Sequence, residues 1–208
     1  MKSAYCTILS KSRLYQFLAL ILSLNKSRNG NFRFFVLCVD EQVYRLLEKL
    51  KWENITLFHE NELTADILAL KVQRKLHEYC WSLKASFLEN ILLKYPDVMR
   101  VTYMDSDLYF YDDPEKIFMA QPDCSILLTR EEKYNPSWKP GFVKRLTEIT
   151  GEYNSGFISF KRDVNSLSCL KWWKSKLIES CKIDPKNGKF ADQKYLDEHY
   201  GFGFRWTH

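Results

Sequence analysis

Two hydrophobic rhythms alternate along the chain, and they predict alternating strands and helices. Residues 5–9 form a short β-prone run. Leu14, Phe17, Leu18, Ile21 and Leu22 then recur at helical spacing, the stripe of an amphipathic helix. Ser12 is its expected N-cap, and Asn29-Gly30-Asn31 its expected end. The unbroken apolar run over 34–39, ending at Asp40, has the pattern of a strand covered on both faces. A helix over 42–50 and a short strand over 55–58 follow. Leu83, Phe87, Leu88, Ile91 and Leu92 stripe another helix, closed by Tyr95-Pro96. Strands are expected over 98–104, 125–129 and 153–160. Leu167, Leu170, Leu177 and Cys181 stripe a last, long helix.

This alternation implies an α/β fold with a largely parallel sheet and crossover connections. The 208 residues suit one domain, and no repeat, low-complexity tract or linker divides them, so a single domain over 1–208 is expected. In open sheets of this kind ligands bind beyond the carboxyl ends of the strands. The segment after Met104 is therefore the first place to look for chemistry.

Composition narrows the class. With 46% hydrophobic and 27% charged residues the chain is neither disordered nor fibrous. The longest apolar run, 17–22, falls far short of the ~20 residues of a membrane span, and no secretory signal is recognisable at the start. The six cysteines include no C-x-x-C pair. Most lie in apolar runs and read as small hydrophobes in a reducing cytoplasm. The net charge of +5 resides in 161–189, with eight basic and three acidic residues; the remainder is neutral. That segment is a candidate for contact with phosphates or with the inner face of an anionic membrane, and equally reads as a solvated helix face. Charge this diffuse does not indicate a nucleic-acid binder.

Met104 is followed by Asp105-Ser106-Asp107. Two carboxylates two residues apart, leaving an apolar strand, can turn their oxygens on one hard divalent cation shared with a substrate's phosphates. They also read as a polar strand end with turn-forming Asp. Two charges there are costly unless something pairs them. Asp113-Pro114-Glu115 reads instead as a helix start, with Asp113 as cap and Pro114 in the first turn. Gly-rich phosphate loops and a G-x-S-x-G elbow are absent. Tyr109 occupies the place where aspartyl-phosphate phosphatases carry Thr or Val. The histidines, His59, His77, His199 and His208, show no metal-ligand spacing. Asn154 and Gly156 sit at a strand start, where a glycine allows a ligand close to the backbone. Asp192-Gln193 places a carboxylate beside an amide. Each of these last two clusters also reads as local capping.

Taken in order, residues 101–107, 153–157 and 190–193 resemble a GT-A fold nucleotide-sugar glycosyltransferase. They are similar to the bacterial nucleotide-diphospho-sugar transferases related to glycosyltransferase family 8. The resemblance extends to Cys6-Thr7-Ile8, to 78–84 and to 170–173, nearly the whole chain. It implies a single Rossmann-like GT-A domain with a mixed, mostly parallel sheet flanked by helices. It further implies that Asp105 and Asp107 hold Mn²⁺ or Mg²⁺ on the diphosphate of a nucleotide-sugar donor. Thr7 and Ile8 would border the base, Lys84 would stand near the donor, and Asn154 and Gly156 beside the donor sugar. Asp192 and Gln193 would lie near the reacting carbon. The acceptor would be a saccharide or lipid-linked, as in cell-surface polysaccharide assembly. The family pattern continues past Asp-Gln to a His- and Gly-containing segment, usually the source of a third metal ligand; this chain stops at His208, and that C-terminal part is expected to be missing. Two rivals follow: a remnant that binds nucleotide sugar without turnover, and a nucleotidyltransferase, for which 10–13 supplies no Gly-rich loop.

Overall fold

The apolar runs assemble into one seven-stranded sheet. In the computed structural model, residues 3–198 and the backbone of 204–207 are described. The chain runs β1 (Ser3–Leu9), α1 (Leu14–Arg28), β2 (Phe34–Cys38), α2 (Glu41–Leu50), β3 (Ile55–His59), α3 (Ala65–Leu68), α4 (Leu76–Lys94) and β4 (Arg100–Met104). It continues through α5 (Glu115–Ala120), β5 (Ile126–Arg130), α6 (Pro140–Thr150), β6 (Tyr153–Lys161), α7 (Val164–Glu179), the ribbon β7 (Ile183–Asp184) with β8 (Lys189–Phe190), and β9 (Phe204–Thr207). The strand order is β3-β2-β1-β4-β6-β5-β9. Within this sheet β6 alone runs against its neighbours and the other pairings are parallel; the separate β7–β8 ribbon is antiparallel.

Alternation along the strands builds a core on each face. On one side Tyr5, Leu9, Phe34 and Val36 pack against Phe17, Leu20, Ile21 and Leu24 of α1 and Val43 and Leu47 of α2. On the other, Cys6, Ile8, Phe35 and Leu37 pack against Leu83, Phe87 and Ile91 of α4 and Leu170, Trp173 and Leu177 of α7. Covered on both faces, β2 is buried at every position, as its unbroken apolar run predicts.

Several local expectations change. The buried stripe of α1 is Phe17, Leu20, Ile21 and Leu24, whereas Leu22 is exposed. Ser12 does not cap that helix: it lies in a 3-10 turn over Lys11–Arg13. Asp40 ties that turn to the end of β2 by accepting from the Lys11 amide at 2.7 Å. α6 was not expected, and its single buried residue, Thr150, explains why no stripe marks it. Pro114, and not Asp113, stands at the cap of α5; Asp113, one place earlier, accepts from the Glu115 amide at 2.9 Å and pairs with Arg28 at 2.6 Å.

Cys6, Cys38, Cys80, Cys169 and Cys181 are free thiols, and Cys124 donates through Sγ to the Ile126 carbonyl at 2.9 Å. Burial pushes the thiols of Cys38, Cys80, Cys169 and Cys181 up to about 12, as for unreactive core thiols. Part of the basic charge over 161–189 serves the fold: Arg162 donates to the carbonyls of Val98 and Tyr95, and Lys174 pairs with Glu89. Lys171, Lys182 and Lys186 face solvent. Among the described residues no helix is long and apolar enough to cross a membrane.

Candidate active site at the carboxyl edge of the sheet

β1 lies between β2 and β4; it leads into α1 on one face of the sheet, whereas β4 is reached from α4 on the other, and a crevice opens at the carboxyl ends of the two strands. A cleft of about 350 Å³ occupies it, within the size range of small-molecule sites. One wall is the β1–α1 junction, with Ile8, Ser10, Ser12 and Arg13; the other is the start of α4, with His77, Cys80 and Trp81. Tyr103, Asp105 and Asp107 form its floor.

The floor is built around a bulge. β5 and β6 pair regularly up to Leu128 and Ile158, then the register jumps so that Thr129 faces Asn154. The extra residues on β6, Ser155 to Phe157, are pushed toward the end of β4, the re-aiming that bulges produce. Thr129 Oγ1 closes the gap by donating to the Phe157 carbonyl at 2.9 Å. The Asp105 amide donates to the Gly156 carbonyl at 2.7 Å, and the Gly156 amide to Asn154 Oδ1 at 2.6 Å. A Cβ on Gly156 would sit 2.6 Å from Asp105 Oδ2 and 2.7 Å from Asn154 Oδ1. A glycine permitting close approach was expected here; the approaching group is the protein's own carboxylate.

Behind that carboxylate lies Lys84, only 1% exposed on α4. Its Nζ is 2.8 Å from Asp192 Oδ2 and 3.4 Å from Asp105 Oδ1. It donates to Ser155 Oγ at 3.1 Å and to the Ser155 carbonyl at 3.3 Å, and sits 4.5 Å from the centre of the Tyr103 ring. Burial alone would lower the lysine's pKa, but Asp105 and then Asp192 outweigh it and hold it above its ordinary value. Burial and Asp105 together keep the Tyr103 hydroxyl protonated far above its usual range, as a donor to Asp105. No other group hydrogen-bonds Asp192 Oδ2 among the described residues.

Asp192 arrives from the far end of the chain. The β7–β8 ribbon leads into Ala191, whose φ of 53° is a costly left-handed turn for a residue with a side chain. The wholly buried Trp173 fixes the turn by donating Nε1–H to the Asp192 carbonyl at 3.1 Å. The next residue, Gln193, donates through Nε2 to Glu131 Oε2 at 2.9 Å and to the Thr150 carbonyl at 3.0 Å.

Asp105, Lys84, Gly156 and Asp192 thus converge on one locus, with Asn154 and Gln193 bound at its edge. Ile8 lines the cleft, but Thr7 does not: wholly buried, it shares the face of Tyr5 and Leu9 on the opposite side of β1. Lys84 lies beneath the carboxylates, outside the cleft lining. Sequence reasoning missed Arg13, whose Nη1 lies 3.8 Å from Asp107 Oδ2. It also missed His77 and Trp81, one helical turn apart, with ring centres 4.9 Å from each other. Two aromatic rings at an i, i+4 spacing on an exposed helix start were the available signal. Asp105 and Asp107 are the two carboxylates of the cleft lining; among the described residues no group of three His, Cys, Asp or Glu side chains could hold an ion. Two of the four histidines named above, His199 and His208, lie outside the described residues.

Residues 31–208 match the family described as nucleotide-diphospho-sugar transferase. The chain is similar to two uncharacterized proteins of Bacillus subtilis strain 168. It is 48% identical to YfnF over 201 residues, covering 95% of this chain and 65% of YfnF, and 30% identical to YfnD over 197 residues, covering 93% of this chain and 61% of YfnD. It therefore spans less than two thirds of the length of these curated relatives. Among solved structures it is similar to an active-site glutamine-to-glutamate mutant of LgtC, with TM-score 0.62, 15% identity, and 100% and 73% of the two chains covered. It is also similar to the Mn/GDP form of core-mannan synthase A from Aspergillus fumigatus, with TM-score 0.55, 8% identity, and 99% and 72% covered. At such identities these structures speak for the fold, and the fold is GT-A.

Proposed function

The chain belongs to the nucleotide-diphospho-sugar transferase family, and on that premise we propose that it moves a sugar from a nucleotide-diphosphate donor to a saccharide or lipid-linked acceptor, with Mn²⁺ or Mg²⁺. The observation that carries this reading is the pair Asp105 and Asp107 on the floor of the switch-point cleft. The donor set fits a hard cation: two carboxylates stand at the cleft floor, and Asp105 is seated in a cradle that only a glycine at 156 leaves open. Such ions are commonly held by one or two carboxylates plus substrate phosphates. When bound, the ion would act as a Lewis acid and neutralise the charge growing on the departing diphosphate.

The chain's own residues do the rest. Trp81 and His77 offer flat aromatic surface to the base, opposite Ile8. Arg13, with the Ser10 and Ser12 hydroxyls, stands where the diphosphate would enter and adds fixed positive charge beside Asp107. Lys84 acts through Asp105 and Asp192, pairing with both and holding them in place. Asp192 and Gln193, beside Asn154 and Gly156 and outside the cleft lining itself, would face the donor sugar. LgtC also has a glutamine in its active site, which agrees with the place given to Gln193. The exposed Lys171, Lys182 and Lys186 are the part of 161–189 that would meet an anionic membrane surface from the cytoplasm.

Calorimetry with Mn²⁺ and a panel of nucleoside diphosphates tests the metal. Losing a group that merely orients a metal ligand costs about 10- to 100-fold in metal affinity, so removing a ligand in Asp107→Asn is expected to weaken Mn²⁺-dependent nucleotide binding by about 100-fold or more. Stability should change by no more than about 0.5 kcal/mol, because the side chain is half exposed and its partner Arg13 equally so. With only two protein carboxylates on the ion, Mn²⁺ is expected to bind poorly alone and markedly better with nucleotide. Metal dependence unchanged in Asp107→Asn would overturn the site. Sugar release from a panel of nucleotide sugars then tests turnover, and binding without release would identify the non-catalytic remnant.

A further inference from the structure

The side chain of Gln193 is held by two groups that can only accept hydrogen bonds. Its Nε2 lies 2.9 Å from Glu131 Oε2 and 3.0 Å from the Thr150 carbonyl oxygen. A carboxylate and a carbonyl offer no proton. Only the amino end of the carboxamide can therefore face them, however the two ends of an amide are otherwise assigned. The Oε1 end must point the other way, and no hydrogen bond reaches it among the described residues. Sequence reasoning placed Gln193 near the reacting carbon but had nothing to say about which of its two ends is presented.

Glu131 is itself held. Lys133 pairs with Glu131 Oε2 at 2.9 Å and donates to the Gly151 carbonyl at 2.7 Å, with its side chain only 4% exposed. A buried ammonium is tolerated where charge and hydrogen bonds meet it, and Glu131 supplies the charge. The Glu131 amide donates to the Glu152 carbonyl at 2.9 Å, and the Glu152 amide to Asp197 Oδ1 at 2.9 Å. Lys194 in turn pairs with Asp197 at 2.8 Å. The segment leaving β5, the turn between α6 and β6 and the turn after Gln193 are thereby laced together around one carboxamide.

We propose that Glu131, backed by Lys133, is a positioning residue that locks the Gln193 carboxamide with its oxygen turned outward, so that a sugar in the site meets an acceptor and not an amino group. The proposal rests on the transferase reading for its consequence, whereas the lock itself is a property of the free protein. Replacing Glu131 with glutamine keeps the shape but removes one of the two constraints, because the new carboxamide can donate as well as accept, and only the Thr150 carbonyl still demands the amino end. Gln193 can then turn over more readily, and Lys133 loses its counter-charge.

The experiment is Glu131→Gln in the full chain, read in two ways. The side-chain amide protons of Gln193, assigned by their loss in Gln193→Glu, are expected to be protected from exchange in the wild type and to lose that protection in Glu131→Gln. Unchanged protection would overturn the lock. Donor turnover is expected to fall by about tenfold or more, since small misplacements of reacting groups cost up to about 100-fold, while affinity for Mn²⁺ with nucleoside diphosphate stays within twofold. A parallel fall in both would show a general structural role and overturn the proposal. If the wild type releases no sugar from any donor, the transferase reading fails, and the amide protons still decide the lock. Glu131→Gln keeps the side-chain volume, and a thermal melt on the same sample checks that it is folded.

Discussion

Replacing Lys84 with methionine is expected to destabilise the protein by about 3–5 kcal/mol, the usual cost of removing one partner from a buried ion pair. Both Lys84 and Asp192 have side chains only 2% exposed, so water cannot take over the lost charge. Asp192 Oδ2 would be left buried with no partner. For a chain of this length the loss corresponds to a fall in Tm of roughly 6–20 °C. The sign of the pH dependence follows from the direction of the shift. The two carboxylates hold the Lys84 pKa above its ordinary value, so its contribution is complete below the unfolded lysine's value of about 10.4 and fades only as pH rises through the higher folded one. The gap between wild type and Lys84→Met should therefore be constant across neutral pH. Adding Asp192→Asn to Lys84→Met removes the stranded charge and should restore part of the stability without restoring donor turnover. Thermal melts of the four proteins, both single variants included, measure this. A single lysine variant as stable as the wild type would show that the buried cluster carries no such energy.

Gly156→Ala should do the opposite, sparing most of the fold and disabling the metal site. The φ of Gly156 is not in the left-handed region, so alanine suits the backbone. The obstacle is space: the new methyl would lie 2.6 Å from Asp105 Oδ2, well inside contact distance. Asp105 must swing away from Lys84, the Tyr103 hydroxyl and the cleft floor together. Overpacking of this kind costs about 1–3 kcal/mol. The displaced carboxylate should weaken Mn²⁺-dependent nucleotide binding by about 100-fold or more, as loss of a ligand would. Calorimetry and a melt on the same preparation separate the two effects. Metal binding retained at wild-type strength would show that Asp105 is not a ligand, or not one seated against Gly156.

The residues flanking these two positions show how far a linear reading reaches. Asp105 and Asp107 stand out because an apolar strand ends on them, and the α/β alternation makes a strand end the place to look. Gly156 stands out because it interrupts a β-prone run. Lys84 is different. Its neighbours Leu83, Phe87 and Ile91 mark the buried side of α4, yet Ser82, Ala85 and Ser86 are buried too, so the helix is enclosed nearly all round and the lysine with it. Nothing in its own segment indicates a partner, because both carboxylates come from distant parts of the chain. The same holds for Glu131, an ordinary acid after a strand until the α6–β6 turn and Gln193 are folded against it. The bulge at Ser155 to Phe157 appears only when β6 is paired with β5, since a register jump is a relation between two strands.

What the sequence determined by itself was the order and kind of the main elements, the α/β class, and the carboxylates and glycine at the ends of the central strands. Those follow from local regularities, the two- and 3.6-residue periods with which a strand or helix meets a core. The tertiary structure alone decided that Thr7 turns away from the cleft and Ile8 into it, that Lys84 lies beneath the carboxylates, that Arg13, His77 and Trp81 line the walls, and that Gln193 shows its oxygen. Each of these is settled by which face of an element is covered and by which charges meet when distant segments pack. Burial then makes such encounters decisive, because a charge or an amide end left unmatched there has no water to turn to.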